Sequence, residues 1–242
     1  MKPADRFEHD VADHINSFDN VTAKRPKVST KYSDVLIEMA TKRVWLEVKM
    51  GHADNLGNTR VFYNGQHWDG SRDKNGNLTP LKEFCINTLN AHDHPKKFVD
   101  DLRSFSGMDT MMVPTTRGGL KHEHAVPLTI MKAFFEDRDR YILKEDEVDL
   151  AALVRDHYLL GKAEPAHYLQ AGDDLYMIGT ENPLGLPSDI PQVEGIGTFK
   201  VRVSTRSRFY EVQPEVKIRT MCNSPYSLKP GTEKKNPFDY LR

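Results

Sequence analysis

Apolar residues recur at helical spacing at the start of the chain. Ala4, Phe7, Val11, Ile15 and Phe18 fall on one stripe of a helix predicted from about Pro3 to Phe18. Pro3 suits a first turn, and Asp5 places negative charge at the positive end of the helix dipole. The period then changes to two. Ser33–Met39 and Val44–Lys49 read as strands, in which alternate residues share a face. Asp34, Leu36 and Glu38 line one face of the first, and Trp45, Glu47 and Lys49 one face of the second. A hairpin through Ala40–Arg43 pairs Met39 with Val44 and Asp34 with Lys49. Glu47 then lies diagonal to Asp34, roughly 7–8 Å away between backbones. The turn must have even length, because a one-residue slip sends Asp34 to the other face.

The segment from Gly51 to Thr79 is rich in Gly, Asn and Asp, with Val61-Phe62-Tyr63 as its only strand-like run. Helices are predicted at Pro80–Asn90, Pro95–Phe105, Leu128–Glu136 and Leu150–Leu160, with a short strand at Tyr141-Ile142-Leu143. Four strand-like runs follow, His167–Gln170, Leu175–Ile178, Phe199–Val203 and Val216–Arg219, separated by Gly, Pro and Asp. The last dozen residues read as a tail. The expected fold is α/β: a mixed central sheet flanked by helices in residues 1–135, and a β-rich C-terminal part in residues 136–242, either an accessory region that helps hold a partner or part of the same domain.

Both strands of the first hairpin are apolar enough to belong to a buried sheet, so charges in them need a reason. Two carboxylates and an amine on one face can bind a divalent metal and activate water, the chemistry of phosphodiester hydrolysis. Asp34, twelve residues, then Glu47-Val48-Lys49 resembles the signature of the PD-(D/E)xK nuclease superfamily, with Ser33 at the position named for proline. The resemblance covers roughly the first seventy residues. It implies a restriction-endonuclease-like core whose catalytic sheet is completed by a third strand and a helix, placing Gln66 or His67 within reach of the site or of DNA.

By that resemblance the protein is a Mg²⁺-dependent DNA endonuclease, with Mn²⁺ able to substitute. Asp34, Glu47 and the backbone carbonyl of Val48 hold the metal, and Lys49 positions water or neutralises developing charge. A helical glutamate often completes such sites. Glu8 is the choice here, because it lies about 60° from the centre of the apolar stripe, closer than Asp10 or Asp13. Cutting both strands favours a homodimer, and the small size suits a phage, mobile-element or restriction-type enzyme. The competing reading is a non-catalytic nucleic-acid-binding or phage accessory protein with a structural salt-bridged hairpin.

Composition adjusts this picture. The formal net charge of −1 argues against a nucleic-acid partner only if charge is evenly spread. It is segregated: Asn20–Lys49 holds seven Lys/Arg against three Asp/Glu, and Ile196 to the end ten against four. Glu136–Glu181 holds twelve acids against five bases. A basic groove on a neutral molecule is therefore possible, with Lys24, Arg25, Lys27, Lys31, Arg202, Arg206, Arg208, Lys217 and Arg219 as candidate DNA contacts. No apolar run approaches the ~20 residues of a membrane span. No secretory leader is evident and the two cysteines form no framework, so a reducing cytoplasm, bacterial or of an infected host cell, is expected.

Three other patterns carry less. Ser71–Thr79 resembles the start of a calcium loop, but Lys82 stands at the twelfth position, and a tight turn is expected. Thr115–Gly119 could approach a phosphate through backbone N–H groups. The pairs His92/His94 and His122/His124 share a side only if extended, and have no third ligand at a diagnostic spacing.

Overall fold

A computed structural model describes residues 1–26, 33–51, 55–57, 59–108, 125–206 and 209–241, except the side chain of Asp146. In chain order the elements begin α1 (Pro3–Ile15), β1 (Val21–Lys24), β2 (Val35–Met39), β3 (Lys42–Lys49), β4 (Phe62–Tyr63), β5 (Trp68–Asp69), α2 (Pro80–Ala91) and α3 (Asp93–Ser106). They continue α4 (Leu128–Phe134), β6 (Tyr141–Asp149), α5 (Leu150–Val154), a π-helix (Arg155–Leu160), β7 (Ala166–Ala171), β8 (Asp174–Met177), β9 (Gly195–Thr205) and β10 (Tyr210–Met221), closing with a 3₁₀ turn (Pro237–Tyr240). The chain is mixed α/β, as expected. The described residues form two compact units, one from 1–55, 149–197 and 217–242, the other from 56–148 and 198–216. The expected division after residue 135 therefore cuts across both.

The first unit is built on a five-stranded sheet in the order β1-β2-β3-β7-β8. β1, β2 and β3 form an antiparallel meander, β7 joins β3 in parallel, and β8 returns antiparallel. Antiparallel neighbours need only tight turns, but a parallel neighbour needs a long crossover. Here that crossover runs from Lys49 to Ala166 and ends in α5 and the π-helix. The strand predicted at residues 61–63 to complete this sheet does not do so. Phe62–Tyr63 pairs with Trp68–Asp69 in a separate two-stranded sheet, and β7 takes the place beside β3.

Helix α1 forms where the stripe predicts it, burying Val11, Ala12 and Ile15, with Phe7 and Phe18 packed against the same core. That core takes Val35, Ile37, Val44, Leu46 and Val48, the alternate residues of β2 and β3 opposite Asp34 and Glu47. Asn16, at the helix C-terminus, accepts from the Ala23 amide at 2.7 Å and donates to its carbonyl at 3.0 Å. Those groups lie on edge strand β1, which the pattern reading missed, and Asn16 satisfies what no further strand pairs. The expected tail is part of the core: Phe238 is buried against Phe18, ring centroids 5.9 Å apart. Gln170, wholly buried, accepts from the Leu228 amide at 2.8 Å and donates to Ser227 Oγ at 3.2 Å, fastening the C-terminal segment to β7.

The second unit holds α2, α3 and α4 near their predicted spans, the β4–β5 hairpin and, of the three-stranded sheet β10-β9-β6, the greater part of β6 and β9 with β10 as far as Val216. Trp68, Phe98, Phe134 and Phe135 pack ring against ring in its core. The calcium-loop lookalike is a tight turn: Asp73 accepts from the amides of Asn75 and Asn77 at 2.8 and 2.9 Å, with Gly76 at φ 84°.

Candidate active site

The turn between β2 and β3 decides the geometry. Met39 pairs with Lys42, so only Ala40 and Thr41 bridge the strands, with Ala40 at φ 51°. The register is shifted by two residues from the expected one. An even shift preserves faces, so Asp34, Glu47 and Lys49 still share a side. Continuing the pairing of Val35 with Leu46 sets Asp34 opposite Glu47 rather than opposite Lys49. The Val48 amide donates to Asp34 Oδ2 at 2.9 Å, and Lys49 Nζ donates to Glu47 Oε1 at 2.6 Å. Glu47 is only 4% exposed, and besides Lys49 the Ser33 hydroxyl acts on its carboxylate as a hydrogen-bond donor.

Two carboxylates buried face to face disfavour each other's charge. Burial, then the facing Glu47, pushes the Asp34 carboxyl up to about 7, against the pull of Lys49 and the Val48 amide. Burial would raise Glu47 too, but the Lys49 ammonium and then Lys162 hold it below the usual carboxylate range. Lys49 stays well above its ordinary value despite burial, because Glu47, Tyr158 and Asp34 stabilise its charge. Below about pH 7 Asp34 therefore holds a proton beside the Glu47 carboxylate.

These residues fit a magnesium-type ion. Mg²⁺ is commonly held by one or two carboxylates with its remaining positions filled by water. Among the described residues no three His, Cys, Asp or Glu side chains converge on a metal position, so the two carboxylates would be joined by water or main-chain oxygens. Glu8 does not converge with them. Its carboxylate bonds the Arg25 guanidinium and acts on Asp34 only weakly, from a distance. Arg25, expected to face DNA, is largely buried in that pair.

The pattern reading missed what covers the sheet here. Tyr158, fully buried on the π-helix, lies beneath Lys49 Nζ at 5.7 Å from its ring centroid, and Lys162 Nζ approaches the same ring at 5.7 Å. His157 packs on Tyr158 with centroids 4.6 Å apart, and its buried Nδ1 has no partner. Burial and neighbouring Lys162 push His157 down to about 4, so the ring is neutral. A π-turn is rare and often marks a functional site. The available signal was an Asp-His-Tyr run inside a leucine-rich helix, but local spacing does not say which strand such a helix covers.

The remaining candidates scatter. Lys24 pairs with Glu38, and Arg202 with Glu215 at 2.9 Å. Arg206, Lys217 and Arg219 are exposed, and Lys217 and Arg219 alternate with buried Val216 and Ile218 as the pattern predicted. His92 pairs with Glu145 at 3.3 Å, and the stretch from His92 into α3 is not extended, so the His92/His94 metal reading fails on geometry. Lys27, Lys31, Arg208, Thr115–Gly119, His122 and His124 lie outside the described residues. No helix among the described residues is long and apolar enough to cross a membrane. Comparison with protein-family models, curated proteins and solved structures finds no match to this chain.

Proposed function

We propose that the chain is a Mg²⁺-dependent DNA endonuclease hydrolysing phosphodiester bonds at Asp34, Glu47 and Lys49, on a restriction-endonuclease-like core. One observation carries the reading: two buried carboxylates facing each other across the hairpin, beside a lysine whose charge they hold in place. The meander β1-β2-β3 joined in parallel by β7 supports it as a mixed catalytic sheet. Asp34 and Glu47, with the Val48 carbonyl beside them, would hold the metal, which when bound supplies Lewis-acid stabilisation of phosphate charge and a more acidic water.

The chain's own residues divide the remaining work. Lys49 stays protonated, so it acts as a donor and a counter-charge rather than as a base. Two of its three N–H groups are engaged by Glu47 and the Tyr158 hydroxyl, leaving the third to orient a water or a phosphate oxygen. Tyr158 limits where the lysine head can move, and Lys162 brings a second ammonium to the same ring. Two lysines near the reacting phosphate suit a transition state carrying more negative charge than the diester. The exposed positions Arg206, Lys217 and Arg219 supply candidate backbone contacts, and a homodimer would place two such sites on the two strands.

Plasmid cleavage in Mg²⁺ tests this. Wild type is expected to nick and linearise, with Glu47→Ala and Lys49→Ala each slower by about a hundred- to a thousandfold, the scale of losing one main electrostatic contributor. Equal cleavage by all three proteins would end the assignment at this site. Folded wild type that binds DNA but never cuts it would leave the non-catalytic binding protein instead.

A further inference from the structure

Within the second unit, the β4–β5 hairpin and helix α3 enclose a cleft of about 370 Å³, in the size range of small-molecule sites. Buried Trp68, Leu89 and Val99 lie at its base, and polar side chains make up the larger part of its lining. Half-buried Tyr63 forms a wall, meeting Trp68 edge to face with centroids 5.5 Å apart, so at most one face of the tyrosine ring is used.

Most polar groups around the cleft are already committed. Asn90 bonds the amide and carbonyl of Trp68 at 2.8 and 2.9 Å, and Arg103 pairs with Asp100 at 3.2 Å. Asn64 Oδ1 accepts the amides of Gln66 and His67, each at 3.0 Å. That turn removes the backbone N–H groups that would otherwise grip a phosphate. It also fixes the Asn64 amide so that Nδ2 donates to His67 Nε2 at 3.2 Å, leaving the neutral ring's proton on Nδ1. Among the described residues the side chains of Gln66, Lys96 and Asp93 carry no partner. The two cations, Lys96 and Arg103, balance the two anions, Asp93 and Asp100, so the cleft offers no net attraction to a polyanion.

An aromatic wall with one ring face unused by Trp68, an amide that both donates and accepts, and balanced charge complement a flat, uncharged heterocycle with donors and acceptors on its edge. We propose that this cleft binds a single nucleobase, with Tyr63 stacking on it, Gln66 reading its edge and Lys96 meeting one attached phosphate. The base comes either from a free nucleotide or from an unpaired position in a strand. The site is built from residues of the second unit alone and its proposal does not depend on cleavage at Glu47.

Calorimetric titration of the full chain with deoxynucleosides, their 5′-monophosphates, a single-stranded decanucleotide and free amino acids tests it. Gln66→Ala, at an exposed loop position, and Tyr63→Ala should each weaken base binding about tenfold, the scale of one stacked or read base. Tyr63→Phe should retain binding, which separates stacking from a folding defect. Lys96→Ala should weaken the monophosphates and leave the nucleosides unchanged. Binding of nucleosides alone assigns a free-nucleotide site, and Gln66-dependent binding of the decanucleotide only assigns an unpaired base. Absence of both, indifference to Gln66→Ala and Tyr63→Ala, or a preference for amino acids overturns the proposal.

Discussion

A carboxyl group buried beside another carboxylate relieves the repulsion by keeping a proton or by taking a cation. Asp34, pushed up to about 7 by burial and by Glu47, keeps the proton in the absence of metal. The unfolded chain releases that proton near the ordinary value of 3.8. Between about pH 4 and 7 the folded state therefore binds a proton that the unfolded state has lost. Metal-free stability should fall as pH rises through that window, by up to about 1.4 kcal/mol per unit. Asp34→Asn should remove that slope in urea titrations run at several pH values. Cation binding has the opposite dependence, since it must displace the proton. Mg²⁺ affinity measured by calorimetry should climb up to about tenfold per unit below pH 7 and level off above it. A flat profile would remove Asp34 from the metal site.

At the scale of the element, the two-residue turn sets what the residues can do together. Ala40 sits at φ 51°, where a Cβ costs about 1 kcal/mol or more and glycine costs little. Ala40→Gly should raise stability by about that amount in chemical denaturation, and Ala40→Val should lower it. No gain from glycine would mean that the turn adopts another conformation. The same turn shows why the site was legible before its register was. Face assignment depends only on whether the connection is even, whereas pairing partners depend on its length. Glu47 was thus correctly placed beside Asp34 and wrongly placed diagonal to it. Glu8 was chosen by helix angle alone, and Arg25, from a neighbouring strand end, holds it instead.

Across the whole molecule, segments far apart in sequence complete the same unit. Phe238 enters the core that α1 and the central strands build, so Phe238→Ala should cost about 3 kcal/mol or more in thermal or denaturant unfolding, as a buried aromatic truncation does. A loss well under 1 kcal/mol would return the C-terminus to a tail. Charge acts at this scale too. The exposed cations of β10 would hold DNA through its backbone, so Lys217→Ala should weaken binding evenly across sequences and reduce the salt slope by about one. An unchanged slope would place the substrate surface elsewhere.

Periodicity by itself determined the helix stripe of α1, the strand faces of β2, β3 and β10, and the sharing of one side by Asp34, Glu47 and Lys49. All of these follow from the 3.6- and 2-residue repeats of the local backbone. It did not determine that β7, more than a hundred residues on, lies beside β3, or that the π-helix sets His157, Tyr158 and Lys162 around the carboxylates. Parallel pairing carries no local turn signal, and a helix's choice of sheet face is decided by the apolar surface left uncovered after the strands assemble. The protonated state of Asp34 likewise belongs to the tertiary structure, because it arises only when burial and Glu47 are brought to the same point.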